Sequence, residues 1–221
     1  MNRRFLLWGG LAAGLLLVIG FVIYMANMNS KDPVTADTLT ETGSDIPELL
    51  NVRENDHIKG NPNADVVIIK YSDFQCPACR YYASFDDQLS REFGDDVLFV
   101  FRHFPLSSFQ FSRLAARYAE AAGRQGKFWE MHDLIYINRQ QWSQGGAASI
   151  FQQFGEALDL DMEQLNRDLE NPEIEQRILS DYEDGKKLGV RSVPSIFING
   201  RLIQNPNTFE GYRNLIQSHL N

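Results

Sequence analysis

Only two cysteines occur among the 221 residues, Cys76 and Cys79, and they lie three apart. A framework of structural disulfides is therefore excluded, and the redox compartment has to be read from targeting signals instead. Chance would give two cysteines this spacing in roughly one such chain in a hundred, so the spacing is informative. Histidine is sparse too. His57, His103, His132 and His219 are scattered without the H-x3–5-H spacing of zinc ligands, and no second cysteine pair exists to complete a four-ligand site. Basic charge is in deficit, with 21 Lys and Arg against 29 Asp and Glu and a net charge of −8. The absence of a basic stripe argues against a nucleic-acid binder, and the acidity reads as solubility. No internal repeat is visible.

Charge is missing altogether from Phe5 to Ala26, a run rich in Leu, Ile, Val, Gly and Ala. At about 1.5 Å per residue such a helix spans roughly 33 Å, enough to cross a bilayer core. Trp8 and Tyr24 stand near its ends, and Arg3 and Arg4 before it favour a cytoplasmic N-terminus. The run exceeds the usual core of a signal peptide, and Tyr24-Met25-Ala26 lacks the small residue of a cleavage site. The expectation is a single transmembrane anchor at residues 5–26, with a cleaved signal as the alternative; both place the body outside the cytoplasm. Residues 27–55 are polar and read as a flexible linker.

From residue 56 the pattern is that of an α/β domain. Val66–Tyr71 and Val97–Phe101 are short β-branched and aromatic runs, and Pro77 to about Phe93 between them has helical spacing at Tyr81, Phe85 and Leu89. Strand, helix, strand predicts a parallel pair. Helical patterns follow, with Asp161 and Gln164 at capping-box spacing and Asn171-Pro172 opening another helix. Strands return at Ser195–Ile198 and Arg201–Ile203 around Asn199-Gly200, a hairpin signal, and Thr208 caps a last helix. A helical insertion at about 107–189 thus interrupts the sheet domain.

Cys76 follows a strand and opens a helix, with Pro77 suited to the first turn. Free N–H groups and the helix dipole there favour thiolate, lowering a cysteine from about 8.5 to between about 3.5 and 7.5. Cys79 lies one turn further on the same face, where it can close a disulfide with Cys76. Cys76 is read as the sulfur attacked in exchange and Cys79 as the one that resolves the mixed disulfide. Half a zinc site or an inert buried pair are the bland alternatives. Val193-Pro194 precedes a strand, as a boundary marker or as a cis bond.

Tyr71 to Cys79 (YSDFQCPAC) resembles the active-site segment of DsbA-like thiol–disulfide oxidoreductases of the thioredoxin superfamily. Phe99 to Leu106 (FVFRHFPL), Gly126 to Leu134 (GKFWEMHDL) and Gly189 to Gly200 (GVRSVPSIFING) resemble further segments of that family. The resemblance runs from about Asp56 to the C-terminus. It implies a thioredoxin-like fold with an inserted helical domain, and a cis Pro194 packed near the cysteines, with Val193 before it. Two residues depart from the family pattern. Ala78 stands where DsbA itself has a histidine, so a cation that helps hold thiolate is missing. Lys70 stands six before Cys76, where an acidic residue is usual; it either depresses the pKa of Cys79 from beneath or snorkels to solvent without effect. Phe74 and Tyr81 are candidates for lining a substrate groove, although core packing is the simpler reading of aromatics. His132 and His103 read as structural, and Asp73 as a cap or turn residue.

The function these features imply is a disulfide-forming oxidase for exported proteins, using the Cys76–Cys79 disulfide and no other cofactor. Its partners would be unfolded or partly folded thiol proteins and a quinone-linked membrane oxidoreductase. A reductase or isomerase on the same fold is the nearest rival; a protein-binding or zinc-binding module is the rival from another class.

Overall fold

The computed structural model describes residues 48–221. The expected anchor at 5–26 lies outside them, as does the expected linker as far as residue 47. Among the described residues no helix is long and apolar enough to cross a membrane.

The body opens with strand His57–Gly60 (β1), strand Val66–Ser72 (β2), helix Pro77–Glu92 (α1) and strand Val97–His103 (β3). Six helices follow: Ser112–Gly123 (α2), Phe128–Ile137 (α3), Arg139–Trp142 (α4), Ala147–Ala157 (α5), Met162–Leu169 (α6) and Pro172–Lys187 (α7). Strands Ser195–Ile198 (β4) and Arg201–Leu202 (β5) and helix Phe209–Leu220 (α8) complete the chain. The sheet order is β1-β3-β2-β4-β5. β2 and β3 are parallel, with Val66 opposite Val97 and Ser72 opposite His103, and α1 makes the crossover. β4 runs antiparallel to β2, setting Ile196 beside Lys70 and Ser195 beside Tyr71. The end of β2, which feeds the cysteine motif, is therefore flanked by β3 and by the start of β4.

Local signals act where physical chemistry expects them. Asn199 and Gly200 both take positive φ (46° and 79°) and turn β4 into β5. Asp161, Asn171 and Thr208 each accept a hydrogen bond from a first-turn N–H of the helix they cap. One sheet face packs Ile68, Phe99 and Ile196 against Tyr82, Phe85 and Leu89 of α1 and Tyr212 and Ile216 of α8. The other packs Ile69, Val100 and Phe197 against Leu50, Phe104 and Val190. The helical insertion has its own core around Met131, Trp142 and Phe151, continuous with Phe74, Cys79 and Phe101.

Two features differ from the sequence reading. β1 was not expected, being four residues long and ending in Gly60, where a side chain would collide with the Val97 carbonyl oxygen. Residues 48–55, assigned to the linker, are packed on the body. Leu50 is buried, Arg102 donates to the carbonyls of Leu49 and Asn51, and Arg53 pairs with Asp56, Asp181 and Asp184. Their polar composition hid this, because Arg102, Asp181 and Asp184 lie from 51 to 131 residues away in the chain.

Arg102 anchors that strap. Its guanidinium meets both carboxylate oxygens of Asp56, at 3.1 and 2.8 Å, and both side chains are fully buried. Asp56→Ala leaves a buried guanidinium without its main counter-ion and is expected to cost about 3–5 kcal/mol. Urea unfolding measures this; a loss below about 1 kcal/mol would contradict the assignment.

Candidate active site

β2 stops at Ser72 because the next residue turns its side chain into the hydrogen-bonding needs of three other segments. One Asp73 carboxylate oxygen accepts from the Gln75 N–H at 2.7 Å and the Ser112 hydroxyl at 2.6 Å; the other accepts from the Leu106 N–H at 2.7 Å. The Asp73 carbonyl accepts the Cys76 N–H at 3.2 Å. Gln75 continues the fastening: its side chain donates to the Ser143 carbonyl and accepts from the Phe111 N–H. The Arg139 side chain closes on the Gln75 carbonyl. The turn before the motif is thus held by the start and the middle of the helical insertion.

Cys76 then caps α1 with extended backbone (φ −73°, ψ 125°), and Pro77 occupies the first turn. Pro77 and Ala78 are exposed, Cys76 is 7% exposed and Cys79 is wholly buried. Both sulfurs are thiols in this structure. The Cys79 thiol donates toward Cys76, and the Cys79 and Ala78 N–H groups add to it. Together these outweigh burial and the nearby Asp73 charge, and lower Cys76 from 9.0 to about 6. Burial, reinforced by Cys76, pushes Cys79 well above the ordinary range. The pair is split into one sulfur ready to be charged at neutral pH and one that is not.

The Val193–Pro194 bond is cis, and the Val193 carbonyl accepts from the Cys76 thiol at 3.6 Å. Both residues therefore stand at the motif. Lys70 of β2 is engaged elsewhere. It is buried and paired with Asp86 of α1, so it neither snorkels to solvent nor contacts Cys79. Phe74 does not line a groove: it is 1% exposed and stacks between Phe101 and Tyr136. Tyr81 is 49% exposed beside the motif, off the buried face of α1 that the spacing predicted for it. His132 sits in the core, where burial lowers it to about 4 and its Nδ1 meets Asp133.

His57 and His103 each place Nε2 2.7 Å from the same Glu120 oxygen. Burial opposes the Glu120 charge, but the two imidazoles outweigh it and hold the carboxyl well below the usual range. Neither cysteine belongs to this cluster. Sequence reasoning missed Gln75, Ser112, Tyr136 and Arg139 as parts of the site. Only their hydrogen bonds to segments some 30 to 70 residues away place them there.

The depressed Cys76 thiol makes the reduced fold pH-dependent. Its contribution is complete above 9.0, the ordinary thiol value, and fades as pH falls through about 6. Reduced protein should therefore gain stability over Cys76→Ala as pH rises from 6 toward 9. Thiolate absorbance should give a midpoint near 6 that moves up in Cys79→Ala. A midpoint near 9.0 in the unsubstituted chain would contradict the geometry.

Comparison with known proteins agrees with this arrangement. The chain is 26% identical to a thioredoxin-like oxidoreductase from Silicibacter pomeroyi, with a TM-score of 0.63 over 75% of this chain and 92% of that one. Wolbachia pipientis alpha-DsbA1 (20% identity, TM-score 0.69, 80% and 96% covered) and Bacillus subtilis BdbD (20%, 0.66, 74% and 91%) share the fold. The fold is thus that of the DsbA-like thiol–disulfide oxidoreductases. Among curated relatives, a Na(+)/H(+) antiporter NhaA 1 of Mycolicibacterium gilvum is 33% identical over 158 residues, 69% of this chain. The chain spans only 25% of the length of that relative, so the likeness concerns one part of it. A thioredoxin family model matches residues 52–218, which takes in the motif, the insertion and the cis proline, and the chain belongs to the thioredoxin family.

Proposed function

We propose that this chain catalyses thiol–disulfide exchange through Cys76 and Cys79, as a disulfide-forming oxidase of exported proteins. The observation that carries the reading is the asymmetry of the two sulfurs, one at a helix start and favoured as thiolate, the other fully buried one turn inside. In the oxidising direction a substrate thiolate attacks Cys76 Sγ. The Cys76–Cys79 bond breaks, and Cys79 leaves with the electron pair. A second substrate thiolate then attacks the substrate sulfur of the mixed disulfide. The substrate leaves oxidised and Cys76 leaves as the stabilised thiolate. Stabilising that thiolate stabilises the reduced protein, which makes its disulfide the stronger oxidant.

Exposed Tyr81, Pro77 and Ala78 around the 7%-exposed Cys76 offer a surface on which an extended or unfolded chain can be presented to the sulfur. The apolar run at Phe5–Ala26 supports a single-pass anchor with the catalytic domain outside the cytoplasm. Reoxidation then falls to a membrane partner, which the resemblance to DsbA-like proteins suggests is quinone-linked. Ala78 favours the second reading, a reductase or isomerase, because no cation stands between the cysteines.

The reduction potential of the full chain, equilibrated with glutathione, tests the direction. A value above about −200 mV is expected, and one near about −270 mV would transfer the protein to the reducing side. Cys76→Ser should abolish exchange in either case; full function without Cys76 would leave a binding module as the explanation.

A further inference from the structure

Cys79 has to carry negative charge whenever it attacks or leaves, yet it has no access to water. The ionisable groups facing it are the Cys76 thiol on α1, Asp73 in the preceding turn and Tyr136 on α3. None of these supplies a positive charge, and Lys70 is committed to Asp86. Hydroxyl and amide groups are present instead. The Asp73 N–H points at Cys79 Sγ from 3.5 Å, and the hydroxyl of the preceding residue, Ser72, favours the thiolate of the same sulfur as a donor. Ser72 Oγ is 3.0 Å from the Tyr136 hydroxyl, which is 3.3 Å from the Asp73 carbonyl oxygen. Ser72 ends β2 and Tyr136 comes from the helical insertion, and both are buried.

We propose that Ser72 and Tyr136 form a reversible hydroxyl chain that solvates the Cys79 sulfur in both of its protonation states. Ser72 is the catalytic donor, and Tyr136 is the positioning residue behind it. With Cys79 as a thiol and Cys76 bound to substrate, the chain runs outward. The thiol donates to Ser72, Ser72 donates to Tyr136, and Tyr136 donates to the Asp73 carbonyl. With Cys79 as a thiolate, the chain reverses. Tyr136 donates to Ser72, and Ser72 donates to the sulfur. Two hydroxyl hydrogens rotate, and no heavy atom needs to move. The carbonyl left behind loses only a long hydrogen bond, while the sulfur gains a charge-assisted one. Burial holds the Tyr136 phenol far above neutral, so it acts as a donor and not as a base.

The step served is resolution, and it rests on the exchange reading proposed above. Cys79 gives up its proton and attacks Cys76 Sγ in the mixed disulfide. The Cys76–Cys79 bond forms, the bond from Cys76 to the substrate sulfur breaks, and the substrate leaves with the electron pair and takes up a proton. The reverse step uses the same donor for Cys79 as leaving group.

The test is a mixed disulfide of Cys76 with a chromogenic aromatic thiol on the full chain. Release of that thiol by Cys79 is followed across pH. Ser72→Ala should slow release about tenfold to a hundredfold below the midpoint, the worth of a hydrogen bond to a charged group, and shift the pH midpoint upward. Tyr136→Phe, which keeps the ring, should act in the same direction but less, and Ser72→Thr should restore most of the rate. Wild-type rate and midpoint in Ser72→Ala would overturn the proposal. A second measurement is independent of exchange: thiolate titration of Cys79 in Cys76→Ala, with and without Ser72→Ala. An unchanged midpoint there overturns the hydroxyl chain. Absence of thiol release from the unsubstituted chain, with the titration still shifted, would instead overturn the exchange reading.

Discussion

A buried carboxylate makes the rest of the site possible. Asp73 accepts from a backbone N–H two residues on, from a backbone N–H beyond β3 and from the hydroxyl that opens α2. Burial raises its pKa in spite of these bonds, so the folded chain bears a desolvation cost to keep it where it is. The return is geometric. With the turn fixed by Asp73 and Gln75, α1 can only begin at Cys76, and its first N–H groups can only face that sulfur. Thiolate stability at Cys76 is therefore a consequence of how the helical insertion is bolted to the sheet.

The charged networks around this turn serve the same fastening. Arg102 leaves β3 to hold Asp56 and the strap at 48–55, and Asp181 of α7 accepts the His103 N–H while pairing with Arg53 and Arg177. Glu120 of α2 joins His103 of β3 to His57 of β1. The contacts of Asp181 and Glu120 with His103 tie the insertion to β3, beside the motif. Lys70 and Asp86 tie α1 to β2 in the same way. A charge at position 70 is thus structural here, because its counter-ion, Asp86, sits about two turns beyond Cys79 on α1.

Short-range rules made much of this readable in the sequence. The β2, α1 and β3 pattern, the Asn199-Gly200 turn and the caps at Asp161, Asn171 and Thr208 depend on residues within a few positions of one another, and each forms as expected. The cysteine pair was legible from its spacing; Pro194 was legible only through the family resemblance, because a proline before a strand otherwise reads as a boundary. What failed was anything resting on distant partners. The strap at 48–55 looked like linker because the carboxylates that pair with Arg53 lie in α7 and the arginine that holds its carbonyls lies in β3. Phe74 looked available for substrate because an aromatic beside a motif does not reveal that Phe101 and Tyr136 enclose it. Tyr81 shares its spacing with Phe85 and Leu89, yet the helix is rotated so that Tyr82 takes the inward place.

Magnitudes decide how much of the redox direction the thiolate itself sets. Lowering Cys76 from 9.0 to about 6 changes its ionised fraction at neutral pH from about one in a hundred to about nine in ten. By linkage that favours the reduced protein by about 1.4 kcal/mol, or about 30 mV for a two-electron couple. Cys79 adds almost nothing, since it is protonated at neutral pH with or without its upward shift. The span from thioredoxin-like to DsbA-like potentials is about 150 mV, roughly five times larger. A strongly oxidising member with Ala78 must therefore draw most of its driving force from contacts of the pair that differ between dithiol and disulfide, and only secondarily from the charge on Cys76.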